Sequence, residues 1–170
     1  MTAVKLAESL EMAASQPTGA DIGKLLAQTG MALSRAAPST MGTLMATALM
    51  QAGKTVTGKD KLAIADLPPL LSAATKGVET RGKAHPGDKT LLDVLLPASE
   101  AFAAALSAGR PLSAAAGEMV AAARDGRDRV TPMRNRVGRA SWLGERTEGK
   151  VDPGCEFAVV VPTALASGKT

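Results

Sequence analysis

Leucine and alanine recur at helical spacing along most of this chain, and that periodicity constrains the fold more than any other feature. In residues 21–34, for example, Leu25, Leu26 and Leu33 fall on one stripe that a helix could bury. Aromatic residues make up only 2% of the sequence, and Tyr is absent. Because β-rich folds depend on aromatic and β-branched residues, this composition favours helices. The sequence therefore predicts an all-α fold.

Glycine and proline divide this pattern into about seven predicted helices, which form an antiparallel helical barrel or bundle in a single domain over residues 1–170. The Val-rich residues 159–161 would suit a strand, but a lone strand would have no partner, so we expect a helix there. Ser39 and Thr40 supply hydroxyls that could cap a helix start. The predicted helices span residues 4–14, 21–34, 38–52, 66–81, 91–108, 112–137 and 155–166. Kinks are expected at Pro97 and Pro162, and an interruption near Gly126 or Pro132.

Charge and cysteine content exclude several classes of protein. The formal net charge is only +4, and Trp142 is the one aromatic residue near the Arg-rich residues 124–139, so no nucleic-acid surface is expected. The single Cys155 excludes an internal disulfide framework. No apolar run reaches the roughly 18 residues that span a bilayer, and residues 1–15 lack the uncharged core of a signal peptide. We therefore expect a cytoplasmic protein that does not bind membranes.

Residues 138–154, G-R-A-S-W-L-G-E-R-T-E-G-K-V-D-P-G, form a long predicted loop between two helices. Long loops without their own secondary structure usually serve as binding loops. Its glycines permit close backbone approach to a ligand, and Arg139 and Arg146 offer forked donors suited to phosphate. A polar surface connection explains the same spacing equally well.

Residues 39–42 and 82–90, like the loop at 138–154, lie at or beside predicted helix ends. Helix N-termini present unpaired N–H groups and partial positive charge, which makes them anion sites. Several of them together would suit a phosphate or a nucleotide, whereas each alone is more simply a cap. Neither a P-loop nor a G-x-G-x-x-G after a strand is present.

Two motifs resemble the nucleotide-binding L subunit, or L domain, of dihydroxyacetone kinases: H-P-G-D-K-T-L-L-D-V-L-L-P-A at residues 85–98, and residues 138–154. Members of that family are barrels of eight antiparallel helices that hold ADP or ATP at one end, beneath a capping loop. In one version a phosphoprotein of the sugar phosphotransferase system rephosphorylates bound ADP. The phosphoryl group then passes to dihydroxyacetone on a separate K subunit. In the ATP-dependent version the two modules are fused.

The resemblance also implies where nucleotide contacts fall. Arg139 would contact phosphate, Thr40 the β-phosphate, and Leu91 would line the adenine slot, while Trp142 would brace the loop or pack against it. The resemblance assigns no catalytic residue and no metal ligand in this chain. The full set of implied nucleotide contacts is Ser39, Thr40, Met41, Gly82, Leu91, Arg139, Asp152, Pro153 and Gly154.

The chain departs from the family pattern at its N-terminal end. The family holds Mg²⁺ on a G-D-x-D-H-G loop that precedes the region matched here, so we expect the first helix and the magnesium carboxylates to be missing. A misplaced start and a naturally shortened homologue are both open. An apolar groove left by that helix would be covered by self-association or by a partner helix.

Two functions therefore follow. The first is an ADP- or ATP-binding subunit that passes a phosphoryl group to a small keto-sugar on a partner K subunit, with a phosphoprotein as a further partner. The second is a catalytically inactive helical homologue that binds or regulates a partner.

Overall fold

The computed structural model describes residues 4–166 except for 6, 9, 10, 13, 14 and 16–18. The described residues fall into two compact units, one within Met1–Gly82 and the other within Lys83–Thr170. In the helix predicted over residues 4–14, residues 4, 5, 7, 8, 11 and 12 are described and are helical, and the others lie outside the described residues. The single domain over residues 1–170 stays a prediction.

The described part of the chain is helical and contains no strand, which confirms the all-α prediction. None of its helices is long and apolar enough to cross a membrane. In the first unit α1 spans Ile22–Ala36, α2 Thr40–Thr55 and α3 Leu67–Gly82, preceded by a 3₁₀ turn at Ile64–Asp66. In the second unit α4 spans Leu92–Ser107, α5 Leu112–Val130 and α6 Pro153–Ala166, with 3₁₀ turns over Arg139–Thr147 between the last two.

Glycines set the close packing of α1 against α2 in the first unit. A Cβ on Gly23 in α1 would lie 2.6 Å from the carbonyl oxygen of Gly53 in α2, and a Cβ on Gly53 would lie 2.6 Å from the oxygen of Gly23. Gly30, further along α1, faces Ala46, which is earlier in α2. The two helices are therefore antiparallel, as predicted.

The helices of the second unit also pack in antiparallel order. Gly126, near the end of α5, lies over Asp93 at the start of α4, and Arg127 of α5 pairs with Glu156 of α6 at 2.9 Å. Pro97 lies inside α4, where it leaves the Asp93 carbonyl without an intrahelical donor. The buried side chains include Leu92, Val94, Phe102, Met119 and Val130.

Two predicted boundaries in the second unit were wrong. The helix predicted over residues 112–137 ends at Val130, close to the interruption expected near Pro132, and is not interrupted at Gly126. Thr131 still has helical geometry, and its N–H and hydroxyl both donate to the Arg127 carbonyl, at 3.1 and 2.9 Å. Pro132 lacks an N–H, so the ladder of helical hydrogen bonds stops there. The loop predicted over residues 138–154 contains 3₁₀ turns over Arg139–Thr147, broken at Gly144.

Candidate functional site

The turn before α4 is built around two aspartates. The Asp88 carboxylate accepts the His85 N–H at 2.7 Å. Asp93 accepts the N–H groups of Gly87 and Thr90, the latter at 2.8 Å. The spacing G-D-K-T-x-x-D therefore closes a turn on itself, with Gly87 at a φ of 93°. His85 is an exposed turn residue, as expected.

Lys89 of this turn is fully buried and has a φ of 59°. Its amine donates to three backbone carbonyls: Thr131 at 2.7 Å, Met133 at 2.9 Å and Thr147 at 2.6 Å. A lysine amine has three donors and no acceptor, so all of its hydrogen bonds are made within the protein. These carbonyls lie at both ends of residues 131–152, the segment that we call the α5–α6 loop.

Asn135 joins the same turn to the start of α6. Its side-chain amide donates to the Lys89 carbonyl at 2.8 Å and to Asp152 Oδ2 at 2.9 Å. Asp152 Oδ1 accepts the N–H groups of Gly154 and Cys155, at 2.8 and 3.1 Å. Asp152 thus caps α6, and both of its carboxylate oxygens already have partners.

Ion pairs and backbone hydrogen bonds hold the α5–α6 loop on its outer side. Arg134 contacts Glu145 and Glu148, each at 3.0 Å. The Gly149 N–H donates to the Thr131 carbonyl at 3.1 Å, and the Asn135 N–H donates to the Thr147 hydroxyl at the same distance. The base of the loop is therefore extensively bonded.

The tip of the loop is exposed. The guanidinium groups of Arg139 and Arg146 donate to no acceptor in the part of the chain that the structure describes, and both side chains are exposed. Trp142 is 85% exposed, so the bracing or packing role expected for it was wrong. Gly138, at a φ of 72°, precedes the turn that carries Arg139. Arg139 and Arg146 thus present free guanidinium groups, in contrast to Arg134.

The remaining predicted contacts divide between the two units. In the first, the Ser39 hydroxyl accepts the Gly42 N–H at 3.0 Å and caps α2, as the sequence predicted. Thr40 is exposed and Met41 half-buried in the first turn of α2. Gly82 is the last residue of α3, where a Cβ would lie 3.4 Å from the Leu44 side chain.

In the second unit Leu91 is buried directly before α4, while Pro153 is exposed and Gly154 buried at the start of α6. Asn135 connects the turn before Leu91 to the cap of α6. Sequence reasoning missed Lys89, Asn135 and Thr147 as the residues that bring these segments together. A polar Asn inside a predicted helix was the one available signal.

A sequence model of the DAK2 domain matches residues 1–167. The chain belongs to the DAK2 domain family.

Curated relatives agree with this assignment and confirm the resemblance to L subunits. This DAK2 chain is 32% identical to the ADP-binding subunit DhaL of a PEP-dependent dihydroxyacetone kinase from Escherichia coli, over 86% of the chain and 70% of the relative. It is 33% identical to the corresponding subunit of kinase 2 from Listeria innocua, over 80% of the chain and 62% of the relative. An L-erythrulose 1-kinase from Mycolicibacterium smegmatis is 33% identical over 96% of the chain but only 28% of its own length.

The DAK2 chain does not offer a ready magnesium site within its described residues. No three His, Cys, Asp or Glu side chains there lie close enough together to hold a metal ion. Asp93 and Asp152 are both engaged by backbone N–H groups, as described above. These residues therefore do not fit the magnesium site that the resemblance implies.

Cys155 lies beside the same cluster in the DAK2 chain. Its thiol donates to the Thr90 carbonyl at 3.1 Å and is fully buried. Burial, followed by the negative charges of Asp152 and Asp93, raises the pKa of this thiol to about 12. The group is thus a neutral donor at physiological pH and is not a nucleophile.

Proposed function

We propose that this chain binds ADP or ATP and serves as the nucleotide-binding subunit of a dihydroxyacetone-type kinase. It would pass a phosphoryl group to a small keto-sugar held on a partner K subunit. Support comes from the DAK2 match and from relatives whose names describe ADP-binding subunits. We further propose a cytoplasmic location, in keeping with a single reduced and buried cysteine. Self-association and a phosphoprotein partner stay predictions.

The observation that carries the proposal is the state of Arg139. This guanidinium is exposed and has no acceptor among the described residues, although the loop that carries it is bonded at its base. An unpaired guanidinium group on a loop whose base is fixed by hydrogen bonds is suited to bidentate contact with phosphate oxygens. Asp152 cannot play the same part with its carboxylate, because carboxylate oxygens accept hydrogen bonds, here from Asn135 and Gly154, and offer phosphate no donor.

The other proposed contacts act mainly through backbone and shape. Gly154 is buried at the start of α6, and Pro153 offers an apolar ring beside it. In the first unit the proposed contacts are Ser39, Thr40 and Met41 at the start of α2, and Gly82 at the end of α3. Helix N-termini such as that of α2 favour anionic groups. Leu91 completes the set as an apolar contact.

Calorimetric titration with ADP and ATP, each with and without Mg²⁺, tests the proposal. We expect micromolar binding that weakens by about 10- to 100-fold in Arg139→Ala, because charge-assisted hydrogen bonds to phosphate are lost. Arg139→Lys should recover only part of the affinity, because an ammonium group cannot reproduce the fork. Arg124→Ala is the matched control, since Arg124 is an exposed arginine on α5, outside the predicted contacts. Its affinity should equal that of the unmodified protein.

Phosphoryl transfer is tested separately. The chain is mixed with a dihydroxyacetone-binding K subunit, dihydroxyacetone and either ATP or a phosphorylated carrier protein, and sugar phosphate is measured. Product formation that requires both subunits would support the kinase role. If the titrations show no binding even at millimolar nucleotide, the nucleotide-binding role is wrong. The alternative, an inactive module that binds or regulates a partner, would then be favoured.

A further inference from the structure

Lys89 has a buried environment that none of the predicted nucleotide contacts explains. It is 0% exposed, and its amine donates to carbonyls from three separate residues of the α5–α6 loop. Two of these residues, Thr131 and Met133, lie at the start of the loop, and Thr147 lies near its end. One side chain therefore contacts two chain segments whose nearest bonded residues, Met133 and Thr147, are 14 residues apart in sequence.

We propose that Lys89 is a positioning residue that orders the α5–α6 loop and thereby places Arg139. Lys89 does not contact the nucleotide in this proposal. It holds both ends of the loop, so that the 3₁₀ turns over Arg139–Thr147 start and end at fixed points. The inference rests on the proposed nucleotide role of Arg139, but the ordering of the loop can be measured without any nucleotide.

The backbone geometry supports this assignment. A φ of 59° is costly for a residue with a Cβ, and such conformations persist only where the surroundings determine them. Here Lys89 has a left-handed backbone conformation and a buried side chain, and the Lys89 carbonyl accepts a hydrogen bond from the Asn135 side chain at 2.8 Å. Asn135 in turn contacts Asp152, so the same residue connects the loop to the cap of α6.

Residue chemistry explains why a lysine suits this position. Three carbonyl oxygens converge on one buried point, and the three N–H donors of a single ammonium group contact all of them. Methionine has a similar length but no donor. Lys89→Met would therefore remove one donor from each of the three carbonyls and leave that of Met133 with none among the described residues, whereas Thr131 and Thr147 keep backbone donors. The loop would then lose its anchor before the helices lose their packing.

Trp142 provides the test, because it is the only tryptophan of the chain and lies within the 3₁₀ turns. Its fluorescence anisotropy is measured without nucleotide, together with the helix content by circular dichroism. In Lys89→Met we expect lower anisotropy at unchanged helix content. Lys150→Met, an exposed lysine of the same loop, is the matched control for charge and should leave anisotropy unchanged. Unchanged anisotropy in folded Lys89→Met, or an equal fall in the control, would overturn the proposal.

Hydrogen exchange on the unmodified protein covers the case in which Lys89→Met does not fold. The N–H groups of Asn135, Arg136 and Gly149 are bonded at the base of the loop. We expect them to exchange at least about 100-fold more slowly than exposed amides of the loop tip, because their hydrogen bonds would break only when the whole loop opens. Exchange of these amides at the rate of an unstructured chain would refute an ordered loop.

A double-mutant cycle on ADP affinity then separates positioning from general stability. If Lys89 acts through Arg139, the double variant Lys89→Met/Arg139→Ala binds ADP within about two-fold of Arg139→Ala alone, because coupled sites are not additive. Additive losses would mean that Lys89 acts elsewhere. If the unmodified protein does not bind ADP, the nucleotide proposal fails. The exchange results then still decide whether the loop is ordered, and the fluorescence of Lys89→Met decides whether Lys89 orders it.

Discussion

At the scale of the residue, two side chains of the same type can differ in their hydrogen-bond and ion-pair partners. Arg134 and Arg139 are both exposed arginines of the same loop, yet Arg134 contacts Glu145 and Glu148 and Arg139 contacts no acceptor in the described residues. Exposed ion pairs such as those of Arg134 contribute little to stability. The free guanidinium is consequently the better candidate for a ligand contact.

Cys155 gives the first prediction at this scale. Because the thiol is fully buried, dithionitrobenzoate should react with native protein far more slowly than with protein unfolded in guanidinium. The chain has one cysteine, so the reaction has a single rate to interpret. A native rate equal to the unfolded rate would contradict the buried position.

The raised pKa of Cys155 also predicts how stability depends on pH. Burial raises the pKa of this thiol from 9.0 to about 12. The unfolded state therefore loses its thiol proton first as the pH rises. Since the native state then binds more protons, the contribution of Cys155 to the free energy of unfolding is full below pH 9 and decreases as the pH approaches 12. Urea titrations of the unmodified protein and of Cys155→Ala should converge over this range, and a constant difference would argue against the shift.

At the scale of the element, two glycines of α5 make opposite predictions. A Cβ on Gly126 would lie 2.3 Å from the Asp93 carbonyl oxygen and 3.2 Å from Pro97 Cγ, whereas a Cβ on Gly117 meets nothing within 4 Å. Gly126→Ala should lower the free energy of unfolding by about 1–3 kcal/mol through overpacking. Gly117→Ala should raise it by about 0.5–1 kcal/mol, because alanine has the higher helix propensity. Denaturant unfolding of both variants measures the difference, and equal effects would show that α4 and α5 are not so close at Gly126.

Local patterns predicted the elements well and their connections poorly. Periodicity with Gly and Pro breaks placed α1, α3 and α6 to within a few residues, and Ser39 was predicted as a helix cap because capping is local. The end of α5 was predicted only approximately, by an interruption expected near Gly126 or Pro132. The 3₁₀ turns and the contacts of Lys89 were not predicted, and the acceptors of Lys89 lie 42 to 58 residues away in sequence. Periodicity carries no information about such distant pairs. The motif G-D-K-T-x-x-D could therefore be recognised in the sequence, but the contacts of its lysine with the α5–α6 loop could not be predicted.

At the scale of the whole molecule, ligand binding should appear as thermal stability. A ligand that binds only the native state adds about 2.7 kcal/mol when its free concentration is about 100 times Kd. For a chain of this size about 1 kcal/mol raises Tm by roughly 2–4 °C, so saturating ADP should raise it by roughly 5–10 °C. Differential scanning fluorimetry across an ADP series measures the shift.

The same series separates binding from folding, because the two kinds of variant should behave differently. Gly126→Ala starts from a lower Tm but should keep the full ADP-dependent gain, since its clash with Asp93 is within the packed helices. Arg139→Ala should start at the Tm of the unmodified protein, because this exposed side chain makes no contact with an acceptor in the described residues, and should lose most of the gain. If Arg139→Ala lowered the starting Tm as strongly as Gly126→Ala, Arg139 would be part of the fold, and its assignment to a nucleotide phosphate would be wrong.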